Sequence, residues 1–174
     1  MVVDMMTRHT QVVTPLGELT VVADGDAVTG LYFPGHTYLP DAALFGERVE
    51  TAGDGLLATA STQLTEYFSG HRKTFDIAVA THGDDFSEKV WAMLRQIPFG
   101  ETTTYGALAG RLGNPHLAQR VGQAVGHNPV SIIIPCHRVV GADGALTGYA
   151  GGLERKRRLL ELEEPAEITD SRLF

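Results

Sequence analysis

Ile132-Ile133-Ile134-Pro135-Cys136-His137-Arg138 constrains this chain more than any other stretch. The apolar run from Ser131 to Ile134 predicts a buried strand. Pro135 must end it, because proline has no N–H to give to a sheet ladder. The thiol then sits where a buried strand gives way to a loop, a common place for chemistry on a rigid frame. Cys136 is the single cysteine in 174 residues. That rules out an intramolecular disulfide and any metal site built from several cysteines. The thiol is therefore a small core residue or a nucleophile, and the fold must be held by its core alone.

The composition allows such a core, with 43% hydrophobic and 20% charged residues. No apolar run approaches the roughly 20 residues of a membrane span. Asp4 stands where a secretory signal carries positive charge. The expected setting is the reducing cytoplasm, where a free thiol persists. Net charge is −7, unevenly spread. Residues 1–85 hold 4 basic and 12 acidic side chains, residues 86–160 hold 9 and 4, and residues 161–174 hold 1 and 5. The cysteine thus lies in the basic segment, and local field rather than total charge attracts a polyanion.

Two domains are expected, 1–82 and 83–174. In the first, Thr10 to Val13, Leu19 to Ala23 and Val28 to Phe33 read as strands, with Pro15, Gly17 and Asp24-Gly25-Asp26 as turns. Gly35 to Asp54 reads as loop. Leu57, Ala60, Leu64 and Phe68 recur at helical spacing and Gly70 ends that helix. Phe75 to Ala80 reads as a further strand. In the second domain, Asp85 with Glu88 resembles a capping box, followed by the stripe Phe86, Val90, Met93, Leu94 and Ile97. A second helix covers Tyr105 to Leu112, and Gly113-Asn114-Pro115 turns the chain. A third helix carries Leu117, Val121, Ala124 and Val125 on one face. Two short helices around such a turn fit a helix-turn-helix. Val139-Val140 and Ala145-Leu146 flank a turn at Asp143-Gly144. A last helix spans about Leu153 to Glu163, where Glu154 with Arg158 and Arg157 with Glu161 are spaced to pair.

The residues Phe86 to Trp91, Ile97-Pro98-Phe99-Gly100-Glu101, Tyr105, Gly126-His127-Asn128-Pro129, Ile134-Pro135-Cys136-His137-Arg138-Val139 and Tyr149-Ala150-Gly151-Gly152-Leu153 resemble the O6-alkylguanine-DNA alkyltransferases, in that family's order. The resemblance covers about residues 85 to 164, and the N-terminal half matches in general layout. It implies an α/β N-terminal domain and a mainly helical C-terminal domain with a helix-turn-helix. It implies direct-reversal repair of double-stranded DNA bearing O6-alkylguanine: the alkyl group moves irreversibly onto Cys136 after the damaged base is flipped out of the stack.

The same resemblance assigns roles. Cys136 is the nucleophile, His137 the base acting through a water, and Glu163 the acid that holds His137. Asn128 is a hinge that ties the backbone before the Pro-Cys-His turn. Tyr149 offers its hydroxyl to a guanine ring nitrogen, and the Ala150 N–H reaches O6. Carbonyls of Cys136 and Val139 accept the exocyclic amine. Tyr105 presses on the target's 3′ phosphate. Gln119, Arg120, Gly122 and Gln123 on the third helix, with Arg138, form the DNA-facing set, and Arg111 and the Arg155 to Arg158 run are further candidates for phosphate, although that run circles most of a helical turn and not all four can face DNA. The family places an arginine wedge 17 residues before the cysteine, where this chain has Gln119 followed by Arg120. His9, His36, His71 and His82 show no zinc-ligand spacing, so neither metal nor cofactor is expected, and the protein is expected to be monomeric off DNA. A lesion-binding module without transfer and a cysteine hydrolase are the alternatives; the first would lack the cysteine, and the second usually draws its histidine from elsewhere in the chain.

Overall fold

A computed structural model describes residues 6–164 of the chain. These residues form two compact units. One is the chain up to His82 together with Pro129–Ile133; the other is Gly83–Asn128 together with the chain from Ile134 on.

In the first unit β1 (Thr7–Thr14), β2 (Gly17–Asp24) and β3 (Ala27–Tyr32) form an antiparallel meander, and the two-residue β4 (Glu47–Arg48) adds in parallel to β1, giving the order β3-β2-β1-β4. The β1–β2 turn is held by the Thr14 hydroxyl, which accepts from the Leu16 N–H and donates to the Gly17 carbonyl. Leu19, Val21 and Ala23 are fully buried at alternate positions of β2, on one face of the sheet. Helix α1 (Gly55–Phe68) buries Leu57, Ala60, Leu64 and Tyr67. A second apolar cluster, Val22, Tyr32 and Phe45, brings in the segment expected as loop. There a short helical turn, Ala42–Phe45, stacks the Phe45 ring on Tyr32 with centroids 5.6 Å apart.

Two expected strands are absent as ladders. Of Phe75 to Ala80, Val79 alone makes a bridge, to Val28. The Gln63 side chain accepts from the Asp76 N–H and donates to the Asp76 carbonyl, so a side chain takes the place of a neighbouring strand. The run Ser131 to Ile134 also fails to extend. Val130 bridges to Leu31, and the chain then turns, with the Ile133 N–H donating to the Ser131 carbonyl at 2.8 Å. Ile132 sits at φ +72°, a conformation strongly disfavoured for a β-branched side chain. Every residue from Val130 to Val140 is buried. The unbroken apolar run therefore reports burial on all sides rather than strand geometry.

In the second unit α2 (Asp85–Leu94) is capped by Asp84, whose carboxylate accepts from the Ser87 N–H, while Glu88 accepts from the Gly83 N–H. The box thus begins one residue before the expected Asp85. Thr104 caps α3 (Tyr105–Arg111), and Asn114 opens the turn Pro115–Leu117 that leads into α4 (Ala118–Gly126). Helices α3 and α4 pack against each other across this turn. The Trp91 indole N–H donates to the Ala124 carbonyl at 2.8 Å and locks α2 to α4. The two-residue strands β5 (Thr103–Thr104) and β6 (Val139–Val140) pair in parallel, and α5 (Leu153–Glu163) closes the unit. On α5, Arg157 bonds both Glu154 and Glu161.

Asp54 carries more than one load in the first unit. It caps α1 through the Leu57 N–H and receives Arg8 in a two-pronged contact at 2.6 and 3.2 Å. Asp54→Ala is expected to cost about 2 kcal/mol, read as a lower urea midpoint with an unchanged m-value.

Candidate active site

Pro135 sets the local geometry. Its φ of −81° and ψ of 65° curl the backbone so that the Cys136 N–H donates to the Ile134 carbonyl at 2.8 Å. The Asn128 amide donates to the same carbonyl at 2.7 Å. Asn128 and Ile134 are the second unit's flanking residues around Pro129–Ile133, so this bond pinches the chain shut where it leaves and returns. Cys136, His137 and Arg138 then form a single turn of 3₁₀ helix. With three residues per turn, successive side chains point about 120° apart. Three neighbouring residues thereby send a thiol, an imidazole and a guanidinium in three directions.

The imidazole and the guanidinium both meet Glu163. His137 Nε2 donates to Glu163 Oε2 at 2.8 Å. Arg138 donates through Nε to Oε1 at 2.7 Å and through Nη2 to Oε2 at 2.9 Å. Its Nη1 donates to the Ile97 carbonyl at 2.6 Å. His137 and Glu163 are 0% and 2% exposed. Burial alone would push the Glu163 carboxyl up, but the bonds from His137 and the Arg138 fork outweigh it and bring it down to about 2. The carboxylate is ionised and is shared between His137 and Arg138. Burial lowers His137 and keeps its ring neutral. With Nε2–H committed to Glu163, the basic lone pair lies on Nδ1, which has no hydrogen-bond partner among the described residues.

Around the sulfur the forces oppose one another. Cys136 is 4% exposed, and desolvation pushes its thiol up. Hydrogen bonds from the Asn128 and Tyr149 side chains and the charge of Lys156 pull it back. Lys156 itself is fully buried. Desolvation lowers it to about 8, with Cys136 acting the other way.

The geometry sorts the expected site residues. Cys136, His137, Glu163 and Asn128 converge. Tyr105, the first residue of α3, donates its hydroxyl to the Thr147 carbonyl at 3.3 Å. Val139 is buried in β6, and Ala150 is half-exposed in the turn closed by the Gly152 N–H on the Tyr149 carbonyl. Gln119, Arg120 and Gln123 are exposed on α4. A side chain at Gly122 would stand 3.7 Å from the Tyr105 ring. The Arg120 guanidinium lies over the Phe86 ring, 3.9 Å from its centroid.

One expectation needs correction. Arg138 is 7% exposed and its fork is spent on Glu163 and Ile97, so it is no phosphate contact. Of the Arg155 to Arg158 run, not all of which could face DNA, Lys156 is the one turned inward, fully buried with its ammonium on the Thr147 and Gly148 carbonyls. A signal existed: Lys156, Leu159 and Glu163 recur at the helical spacing of a buried stripe. Among the described residues no group of three or more His, Cys, Asp or Glu could hold a metal ion, and no helix is long and apolar enough to cross a membrane.

The buried pair sets an acid limit on the fold. A histidine held neutral lets the unfolded chain bind more protons below about 6.5, and a carboxylate held at about 2 does the same below about 4.5. Stability is therefore full above about pH 6.5, begins to fall below it, and falls more steeply from about 4.5 towards 2. The carboxylate's share is on the order of 3 kcal/mol. Urea midpoints from pH 7.5 to 3 check this, and Glu163→Gln should lower stability at neutral pH and flatten the acid limb.

Known proteins supply the comparison. Residues 85–165 match the model of the 6-O-methylguanine DNA methyltransferase DNA binding domain, and residues 8–81 match that family's ribonuclease-like domain. A Mycobacterium bovis protein named methylated-DNA–protein-cysteine methyltransferase is 43% identical over 169 residues, 97% of this chain and 99% of its own. One of the same name from Haemophilus influenzae is 40% identical, covering 90% and 86%. The crystal structure of the Mycobacterium tuberculosis O6-methylguanine methyltransferase superposes with a TM-score of 0.81 at 42% identity, covering 94% and 98%. That organism's OGT in complex with DNA gives 0.82 at 41% identity, covering 93% and 98%. With both domain models matched and near full-length relatives above 40% identity, the chain belongs to the methylated-DNA–protein-cysteine methyltransferases, the single-use alkyl acceptors of direct-reversal DNA repair.

Proposed function

We propose that Cys136 Sγ accepts the alkyl group from O6 of a guanine flipped out of double-stranded DNA. The observation that carries this is the chain Cys136, His137, Glu163, Arg138. The S–C bond forms as the O6–C bond breaks. The thiol proton passes through a bridging water to the lone pair on His137 Nδ1. Glu163 receives the imidazolium through Nε2–H and is held in place by Arg138. No separate metal or cofactor enters the scheme. Because burial disfavours a resting thiolate, deprotonation is coupled to arrival of the lesion rather than complete beforehand.

The departing purine takes up the electron pair from O6. Tyr149 meets it at a ring nitrogen and the Ala150 N–H meets O6, as developing charge requires. The carbonyls of Cys136 and Val139 read the exocyclic amine. Helix α4 enters the minor groove with Gln119, Arg120 and Gln123 outward, and Gly122 lets its backbone come close. Tyr105 presses on the 3′ phosphate. Arg120 must leave Phe86 to reach the vacated stack, and Gln119 is a shorter wedge, so intercalation is weak. The protein works as a monomer off DNA, in the cytoplasm, and each molecule acts once.

Two measurements test the reading. Incubation with O6-methylguanine duplex should add about 14 Da, one CH₂, to the Cys136 peptide, and Cys136→Ser should remove both the mass gain and lesion loss. Binding without any mass gain would favour a lesion-recognition module, and turnover on an ester or amide would favour a hydrolase. Arg120→Ala should slow repair of duplex DNA about tenfold while leaving transfer from free O6-benzylguanine near wild type, since the free base needs no flipping. Equal slowing of both would remove Arg120 from flipping.

A further inference from the structure

Arg120 rests to one side of the face that the scheme above turns towards DNA. Its guanidinium lies over the Phe86 ring, 3.9 Å from the centroid, well inside the roughly 6 Å at which an aromatic face attracts a cation. The two residues belong to different helices, Phe86 to the first turn of α2 and Arg120 to the first turn of α4. Both line a cleft of about 330 Å³ between those helices, with Asp84 and Trp91 on the α2 side. The Asp84 carboxyl is held below the usual carboxylate range chiefly by its bonds to Ser87, and also by the charge of Arg120. The start of α2 thus offers the guanidinium a ring face and a negative charge.

The phase of α4 accounts for this placement. Arg120, Gln123, Ala124 and His127 line the cleft at i, i+3, i+4 and i+7, one stripe of a helix turned to α2. Gly122 looks the other way, since a Cβ there would stand 3.7 Å from the Tyr105 ring of α3. Gln119 lies between the two sides, and Arg120, one residue on, is rotated about 100° from it towards α2. The guanidinium can sit on Phe86 or cross the helix to the side of Gln119; it cannot do both.

We propose that Phe86 is a positioning residue for base flipping: its ring is the resting stand of Arg120, and the strength of that contact sets how often the guanidinium is free to enter the vacated stack. The inference rests on the reading of Arg120 as a wedge and deepens it by naming what competes for the wedge. A group that a step needs, but that is held elsewhere, contributes only in the fraction of molecules where it is released. Free O6-benzylguanine has no stack to fill, so the stand bears on duplex DNA alone.

Two substitutions bracket the contact. Phe86→Leu keeps an apolar side chain on α2 and removes the ring; Phe86→Trp supplies the face that holds a cation best. Loss of O6-methylguanine from duplex DNA under single-turnover conditions should be about threefold faster in Phe86→Leu and about threefold slower in Phe86→Trp, the factor that an exposed cation–π contact corresponds to. Unstacking of a 2-aminopurine placed beside the lesion should follow the same order. Transfer from free O6-benzylguanine should stay at the wild-type rate in both. In an Arg120→Ala background neither Phe86 substitution should have a further effect on the duplex. Slowing by both substitutions, wild-type duplex rates in both, or effects that persist without Arg120 would overturn the stand.

If a Phe86 variant fails to fold, Trp91 serves as an internal probe, being the single tryptophan of the chain and part of the same cleft. Binding of O6-methylguanine duplex should change its emission in the wild-type protein, as the guanidinium leaves, and change it far less in Arg120→Ala. Equal changes in the two overturn the proposal. If Arg120→Ala slows duplex repair while the Phe86 substitutions do nothing, the wedge survives and the stand falls. If Arg120→Ala leaves duplex repair untouched, both fall, and the Cys136→Ser result still decides the alkyl transfer.

Discussion

One buried carboxylate, that of Glu163, fixes the orientation and tautomer of the imidazole that follows the cysteine. Left unpartnered at 2% exposure it would protonate, and His137 would lose both its orientation and its tautomer. The Arg138 fork prevents this by fixing two lone-pair directions and supplying the compensating charge. The imidazole then has one available role for each nitrogen. Arg138 thus reaches the chemistry through two intermediaries, although it sits two residues from the cysteine in sequence.

This dependence explains which parts of the site could be read from residue order. Local effects were legible. Alternation in β2, the Leu57 to Phe68 spacing of α1 and the Gly113-Asn114-Pro115 turn before α4 depend on neighbours within a few residues. Cys136 was conspicuous because it is a single thiol after a proline. Burial of a charged side chain is a different kind of fact. Arg138 and Glu163 lie 25 residues apart, and nothing near Arg138 distinguishes it from a surface arginine in a basic segment. Lys156 was hidden by its neighbours Arg155, Arg157 and Arg158, although its phase on α5 matched Leu159 and Glu163.

The two missing strands share a cause. Phe75 to Ala80 and Ser131 to Ile134 carry apolar residues suited to a sheet; the first touches the edge strand β3 at the single bridge of Val79, and the second follows directly on the single bridge of Val130. Each is then captured by a competing partner: the Gln63 amide in one case, and in the other a tight turn with Ile132 at positive φ. Hydrophobic pattern reports how much of a segment is covered, and the partner decides its geometry.

The compactness of the 3₁₀ turn has a bearing on how such a site changes over generations. Thiol, imidazole and guanidinium come from three adjacent codons, each aimed by its rank in one turn. Insertion or deletion of one residue there would exchange their directions together, sending sulfur towards the carboxylate and the ring elsewhere. Intermediate versions with a slightly displaced site are therefore not available to this turn. Variation must enter through the surrounding loop, helix α4 or the N-terminal unit, while the turn itself is inherited whole or lost.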